Sequence, residues 1–136
     1  MPTHRWPLVV VLAAATVAMI WTNGPGWPAR DSIFLDFGLS RDSLAAGHWW
    51  SLLSHALLHG SWGHGLLNLA GLWVVGSHVC DRHGALFFTA MFGAGVVAGG
   101  LAQVVANPTG ILIGTSGGVF ALVVAAGFLW DDRMIA

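Results

Sequence analysis

Four stretches of the chain are apolar over lengths that suit helices, and polar or turn-forming residues separate them. The first covers about 7–21, with Trp6 and Trp21 as bookends of the kind found at membrane interfaces. The second covers about 63–77, the third about 85–106, and the fourth runs from Ser116 to Trp130 (116–130), ahead of Asp131, Asp132 and Arg133. His78 to Gly84, the run HVCDRHG, reads as a polar turn between the second and third. Asn107-Pro108-Thr109-Gly110 reads as a turn after the third. Residues 23–62 form a long connection holding Arg30, Asp31, Asp36, Arg41 and Asp42 together with Trp27, Trp49, Trp50 and Trp62. Charges interleaved with tryptophans suit a loop lying partly in the headgroup layer. A small extramembrane subdomain with core tryptophans fits the same residues.

Composition changes the solvent. Charged residues make up 8% of the chain and hydrophobic residues 56%, against about 25% charged in soluble domains. Mean hydropathy is +0.74. The fold class is therefore an all-α, multi-pass integral membrane protein. Nineteen glycines let helices approach closely, and Gly95 and Gly99 form a small-xxx-small pair suited to helix contact. Arg5 precedes the first apolar run, so a signal peptide competes with an anchor; no small-x-small cleavage site follows, which favours the anchor. Arg5, Arg82 and Arg133 fall on one side and Arg30 and Arg41 on the other, which puts the N-terminus in the cytoplasm. A net charge of −1 with no basic patch points to no nucleic-acid partner. Cys80 is the single cysteine, so no intramolecular disulfide forms. No phosphate-binding loop is present, no cofactor is expected, and oligomeric state leaves no signature.

Length arithmetic draws attention to the polar groups. From His83 to Trp130 there is no Asp, Glu, Lys or Arg, yet Gly114-Thr115-Ser116-Gly117 lies inside that stretch. Polar residues within a membrane are costly and mark function by default. A helix over 116–130 rises only about 21 Å. If it ends at the cytoplasmic face, Ser116 sits roughly 10 Å inside a ~30 Å hydrocarbon core. Residues 107–115 must then return as non-helical backbone, which is tolerated only where protein or a water cavity covers it. His64 stands about 20 Å above Ser77 on the second helix, at a depth similar to Ser116. His64 and Asn68, at i and i+4, face the same way. A serine at a helix N-terminus, two donors nearby and a low dielectric suit the stabilisation of an oxyanion. Each piece has another use. Gly-x-Ser-Gly also suits helix contact, Asn68 alone suits an interhelical hydrogen bond, and His55, His59 and His64 could ligate a metal, although no carboxylate or cysteine lies near them in sequence.

Trp50-Ser51, then His55-x3-His59-x4-His64-x3-Asn68, then Gly114-Thr115-Ser116-Gly117 resemble, in order and spacing, the rhomboid intramembrane serine proteases. Asp36-Phe37-Gly38 and Gly47-x-Trp49-Trp50 resemble that family's first loop, and the resemblance covers about residues 36 to 130. It implies a single rhomboid-like membrane domain over 1–136: four transmembrane helices of a six-helix bundle, with a long interfacial loop between the first two. It implies a serine endopeptidase that cuts single-span membrane proteins. Ser116 is then the nucleophile. His64, Asn68 and the Ser116 backbone N–H stabilise the oxyanion, and no metal or cofactor takes part. His55 and His59 organise the first loop and a water-retention site, while Gly114 and Gly117 permit a tight approach to the helix. A shorter, glycine-rich bacterial branch of the family processes C-terminal anchors and is one place for a chain this compact; the expected location is the bacterial inner membrane.

Three departures stand out. Trp50-Ser51 replaces the family's Trp-Arg, which touches a loop-anchoring contact. Cys80 and Asp81 straddle the place of a Glu, and Asp81 could substitute with a shifted register. The family's catalytic base is a His on the sixth helix, whereas the last histidine here is His83. A serine needs a positioned base to act as a nucleophile, so the residues given are expected to be inactive alone. Either they are part of a chain that continues into two further helices, or the protein is a non-catalytic relative that binds membrane helices. Retention of Ser116, His64 and Asn68 together favours the first.

Overall fold

A computed structural model of the chain describes residues 3–24 and 30–134, without the side chains of 3, 30 and 129–134. Trp27 and the side chains of Arg30, Trp130 and Arg133, which entered the charge and aromatic arguments, lie outside the described residues. After a 3-10 turn at Thr3–Arg5 come α1 (Trp6–Asn23), α2 (Arg30–Phe37), α3 (Arg41–Ala45), α4 (Ser51–Ser54), a second 3-10 turn at His55–Leu57, α5 (Trp62–Ala106) and α6 (Ser116–Met134). Pro7 sits in the first turn of α1, where the missing N–H would be unpaired anyway.

The polar turn expected at 78–84 is corrected. α5 continues through His78–His83 and breaks at Gly84 alone, where φ is 87° and ψ 174°. An unbroken helix of 45 residues would run about 67 Å, more than twice the ~30 Å hydrocarbon thickness. The glycine, which takes positive φ without strain, breaks α5 into two helical segments, 62–83 and 85–106. The polar run needs no loop because its residues find partners while still helical. Arg5 Nε donates to Asp81 Oδ1 at 2.8 Å, a second guanidinium N–H meets Oδ2, and His4 Nε2 lies 2.8 Å from Oδ1. The Arg5 guanidinium also lies 5.9 Å from the Trp73 ring centroid. Asp81 thus serves as the tie between α5 and the start of α1.

Two further boundaries differ from expectation. The connection 23–62 is not a loop throughout, since it contains α2, α3, α4 and a 3-10 turn. Ser40 explains one of them: its side chain accepts from Ser43 N–H while Ser43 Oγ accepts from Ser40 N–H, a reciprocal cap that starts α3. α6 continues past Trp130 to Met134, because charged side chains do not by themselves end a helix.

The core is Leu8, Leu72, Val79, Cys80, Phe88, Phe92, Val96 and Leu122, with Ala56 from the connection. Small residues let the helices close on it. A Cβ at Gly76 would fall 2.8 Å from Leu8 Cδ1 and 3.1 Å from Phe88 Cε2. One at Gly95 would fall 2.7 Å from Gly117 O and 3.2 Å from Gly118 Cα, so the second half of α5 and α6 meet backbone to backbone there. Outward faces stay apolar as well: Val17, Leu67, Val74, Leu86, Val105 and Phe120 are all exposed. Helices apolar on every side suit a lipid surround, and α1 and α5 are both long and apolar enough to cross a membrane.

Candidate active site

The connection between α1 and α5 is built as a bracket. Trp50 Nε1 donates to Asp36 O at 2.9 Å and Ser54 Oγ to Phe37 O at 2.7 Å, fastening α4 to the end of α2. Ser51, where the resemblance expects Arg, is wholly buried; its Oγ lies 3.1 Å from Ser43 Oγ, and its carbonyl accepts from His55 Nδ1 at 2.7 Å. Ser51 thus joins α4 to α3 through a buried hydroxyl pair.

That bracket covers the segment leading to Ser116. Leu39 and Leu112 form an isolated antiparallel bridge. Arg41 reaches across to donate to the carbonyls of Val104 (3.1 Å) and Val105 (3.3 Å), unpaired acceptors at the C-terminal end of α5. Gly114 N–H donates to His55 O at 2.8 Å. Residues 107–115 are non-helical, and Asn107, Gly110, Leu112, Gly114 and Thr115 find backbone hydrogen bonds within the protein. None of these long-range contacts carries a local sequence signal except the turn at Asn107–Gly110.

Ser116 is the first residue of α6. Val119 N–H bonds back to Thr115 O at 3.0 Å, so the Ser116 N–H belongs to the opening turn, whose donors have no intrahelical acceptor. Ser116 is exposed and lines an open cavity of about 500 Å³ with Gly95, Ala98, Gly99, Gly117, Phe120 and Ala121. On its other side stands the first half of α5, started by a Ser61 cap on His64 N–H. The His64 ring rests against Gly114, 3.4 Å from where a Cβ would be, and Gly71 faces Val119 Cγ1 at 3.7 Å from the same construction. Asn68 lies between His64 and Gly71 on that stripe, and Ser116 lies between Gly114 and Val119. The two contacts therefore bracket Asn68 and Ser116 on facing helices. Asn68 Nδ2 is shielded from solvent and has no hydrogen-bond partner among the described residues. Such an orphan donor costs about 1–3 kcal/mol and is free to meet a ligand.

His55 and His59 stand apart from that stripe. Both are buried, with His55 committed to Ser51 O through Nδ1 and His59 Nε2 lying 3.4 Å from Thr115 Oγ1. They lie outside the spanning helices, and burial pushes both imidazoles below the ordinary 6.5, the neighbouring His64 adding to the effect at His59. Each is held neutral near pH 7. The contact between His59 and Thr115 has no signal in the sequence, since only the fold brings them together.

The sequence matches the model of the Rhomboid domain over residues 46–134. Rhomboid-related protein 2 of Mus musculus is 30% identical over 123 residues, covering 86% of this chain and 41% of that protein. Rhomboid-related protein 3 of Homo sapiens is 41% identical over 76 residues, 56% of this chain and 19% of that protein. Rhomboid protease GluP of Bacillus subtilis (strain 168) is 34% identical over 120 residues, 88% of this chain and 23% of that protein. The chain spans less than half the length of each of these relatives.

Proposed function

The chain belongs to the rhomboid family of integral membrane proteins, and from that membership we propose that it carries the nucleophile side of an intramembrane serine endopeptidase site. In this reading α1, the two halves of α5 and α6 are four helices of a rhomboid-like six-helix bundle, with the N-terminus cytoplasmic in a bacterial inner membrane. Substrates are single-span or membrane-anchored proteins.

Ser116 Oγ adds to the carbonyl carbon of the scissile peptide as a base takes its proton. The carbonyl oxygen, now negative, is held by His64, Asn68 and the Ser116 N–H in a low dielectric. Collapse expels the amine, which takes the proton from the base, and leaves an acyl ester on Ser116 that water hydrolyses. His83 does not serve as the base: it stands at the far end of the 62–83 helix, about 28 Å along the axis from His64. By family resemblance the base is a His on a later helix than α6. The cavity beside Ser116, floored by Gly95, Ala98, Gly99 and Gly117, has the small-residue surface that a closely packed helix needs.

The observation that most supports this reading is the buried Asn68 Nδ2, unpartnered among the described residues and one helical turn from the His64 that packs on Gly114. The test is cleavage of a single-span reporter by the complete gene product in membranes. Cleavage that disappears in Ser116→Ala supports the proposal. A reporter that stays intact with the wild type, yet co-purifies equally with wild type and Ser116→Ala, replaces it with helix binding.

A further inference from the structure

Resting on the reading of Ser116 as nucleophile, we infer that Thr115 is a positioning residue, holding the first turn of α6 in register with His64 through the hydrogen bond between its hydroxyl and His59. The run Gly114-Thr115-Ser116-Gly117-Gly118 is permissive backbone, because glycine adopts conformations that other residues avoid. Gly114 is at φ +111°. Ser116 therefore needs an anchor of another kind, and Thr115 has the one side chain in that run besides its own.

Thr115 is 0% exposed. A buried hydroxyl requires a partner, and His59 Nε2 lies 3.4 Å from its Oγ1. His59 is held at its backbone and by a ring contact, its Nδ1 being buried with no hydrogen-bond partner among the described residues. Its carbonyl accepts from Asn23 Nδ2 at 3.0 Å, and its ring stands edge-on to His64 with centroids 5.5 Å apart. The cycle then closes, since His64 rests on Gly114 and Gly114 N–H is tied to His55 O at 2.8 Å. Thr115 O also accepts the Val119 N–H that begins α6. One residue thus touches the oxyanion side through His59 and the nucleophile side through its own backbone. Removing the hydroxyl frees Ser116 to rotate against His64 while leaving the apolar burial in place.

The experiment uses the complete gene product, a cleavable single-span reporter, and active sites titrated to completion with a fluorophosphonate. Thr115→Val should lower kcat per titrated site by about 10- to 100-fold with KM changed less than about twofold, the signature of misplaced reacting groups. Thr115→Ser, which keeps the hydroxyl, should recover most of that loss. His59→Leu added to Thr115→Val should cost little more, as expected for one shared contact. A Thr115→Val enzyme with unchanged kcat per titrated site, even one that unfolds at lower temperature, overturns the inference and leaves the protease reading standing. Multiplying effects of Thr115→Val and His59→Leu also overturn it. A wild type that neither cleaves nor takes the fluorophosphonate removes the protease reading and this inference together.

Discussion

Leu39 and Leu112 exchange both of their backbone hydrogen bonds, Leu39 N–H to Leu112 O at 3.0 Å and Leu112 N–H to Leu39 O at 2.7 Å. The pair clamps the chain after α2 onto the non-helical approach to Ser116, and Leu39 is fully buried. Leu112→Pro removes one donor and strands the Leu39 carbonyl. It should destabilise the protein by about 1–3 kcal/mol more than Leu112→Ala, which keeps the N–H. Thermal unfolding in detergent reads the difference, and equal losses for the two variants would remove the bridge as a stabilising element.

Gly95 and Gly93 offer a matched pair on the second half of α5. A side chain at Gly95 meets the α6 backbone at Gly117 and Gly118, while a Cβ at Gly93 meets nothing within 4 Å. Gly95→Val should cost about 1–3 kcal/mol through overpacking and should also lower activity, because Ser116 rides on the helix that is pushed away. Gly93→Ala should be neutral or stabilising by about 0.5–1 kcal/mol. Unfolding temperatures and reporter cleavage of both variants, measured side by side, check this.

Acid should loosen the bracket before it affects the helices. His55 and His59 both titrate below the ordinary 6.5 in the folded protein, through burial first and, at His59, through His64 as well. The unfolded chain therefore binds protons before the folded one does as pH falls. Their contribution is complete above 6.5 and declines below it, down to the lowered folded values. Unfolding temperature should fall as the pH is lowered through 6.5, and His59→Gln should flatten part of that fall. A slope unchanged in His59→Gln would contradict the assignment.

Periodicity and turn chemistry made much of the helical order legible. The third apolar stretch ends at Ala106, as the Asn-Pro-Thr-Gly turn indicates, and the Gly95–Gly99 pair meets α6. The count that put His64 and Ser116 at one level took helix ends at 77 and 130, whereas the helices run on to 83 and Met134; what the fold itself gives is the His64 ring against Gly114. Elsewhere polarity misled. HVCDRHG looks like a turn because its charges suggest water, yet Asp81 reaches Arg5 and His4 from within a helix, and the break falls to Gly84 alone. The short helices of 23–62, the Arg41 cap on α5 and the contact between Thr115 and His59 depend on partners distant in sequence. No window of local sequence contains them.

The central claim is that Ser116 is a nucleophile served by Asn68 and His64. The most direct measurement is fluorophosphonate labelling of the complete gene product in membranes, with the adduct located by mass spectrometry. The account predicts an adduct on Ser116, absent in Ser116→Ala and formed about 10²–10³ times more slowly in Asn68→Ala, as loss of one oxyanion donor requires. An adduct elsewhere, no adduct, or an Asn68→Ala rate equal to that of the wild type would contradict it.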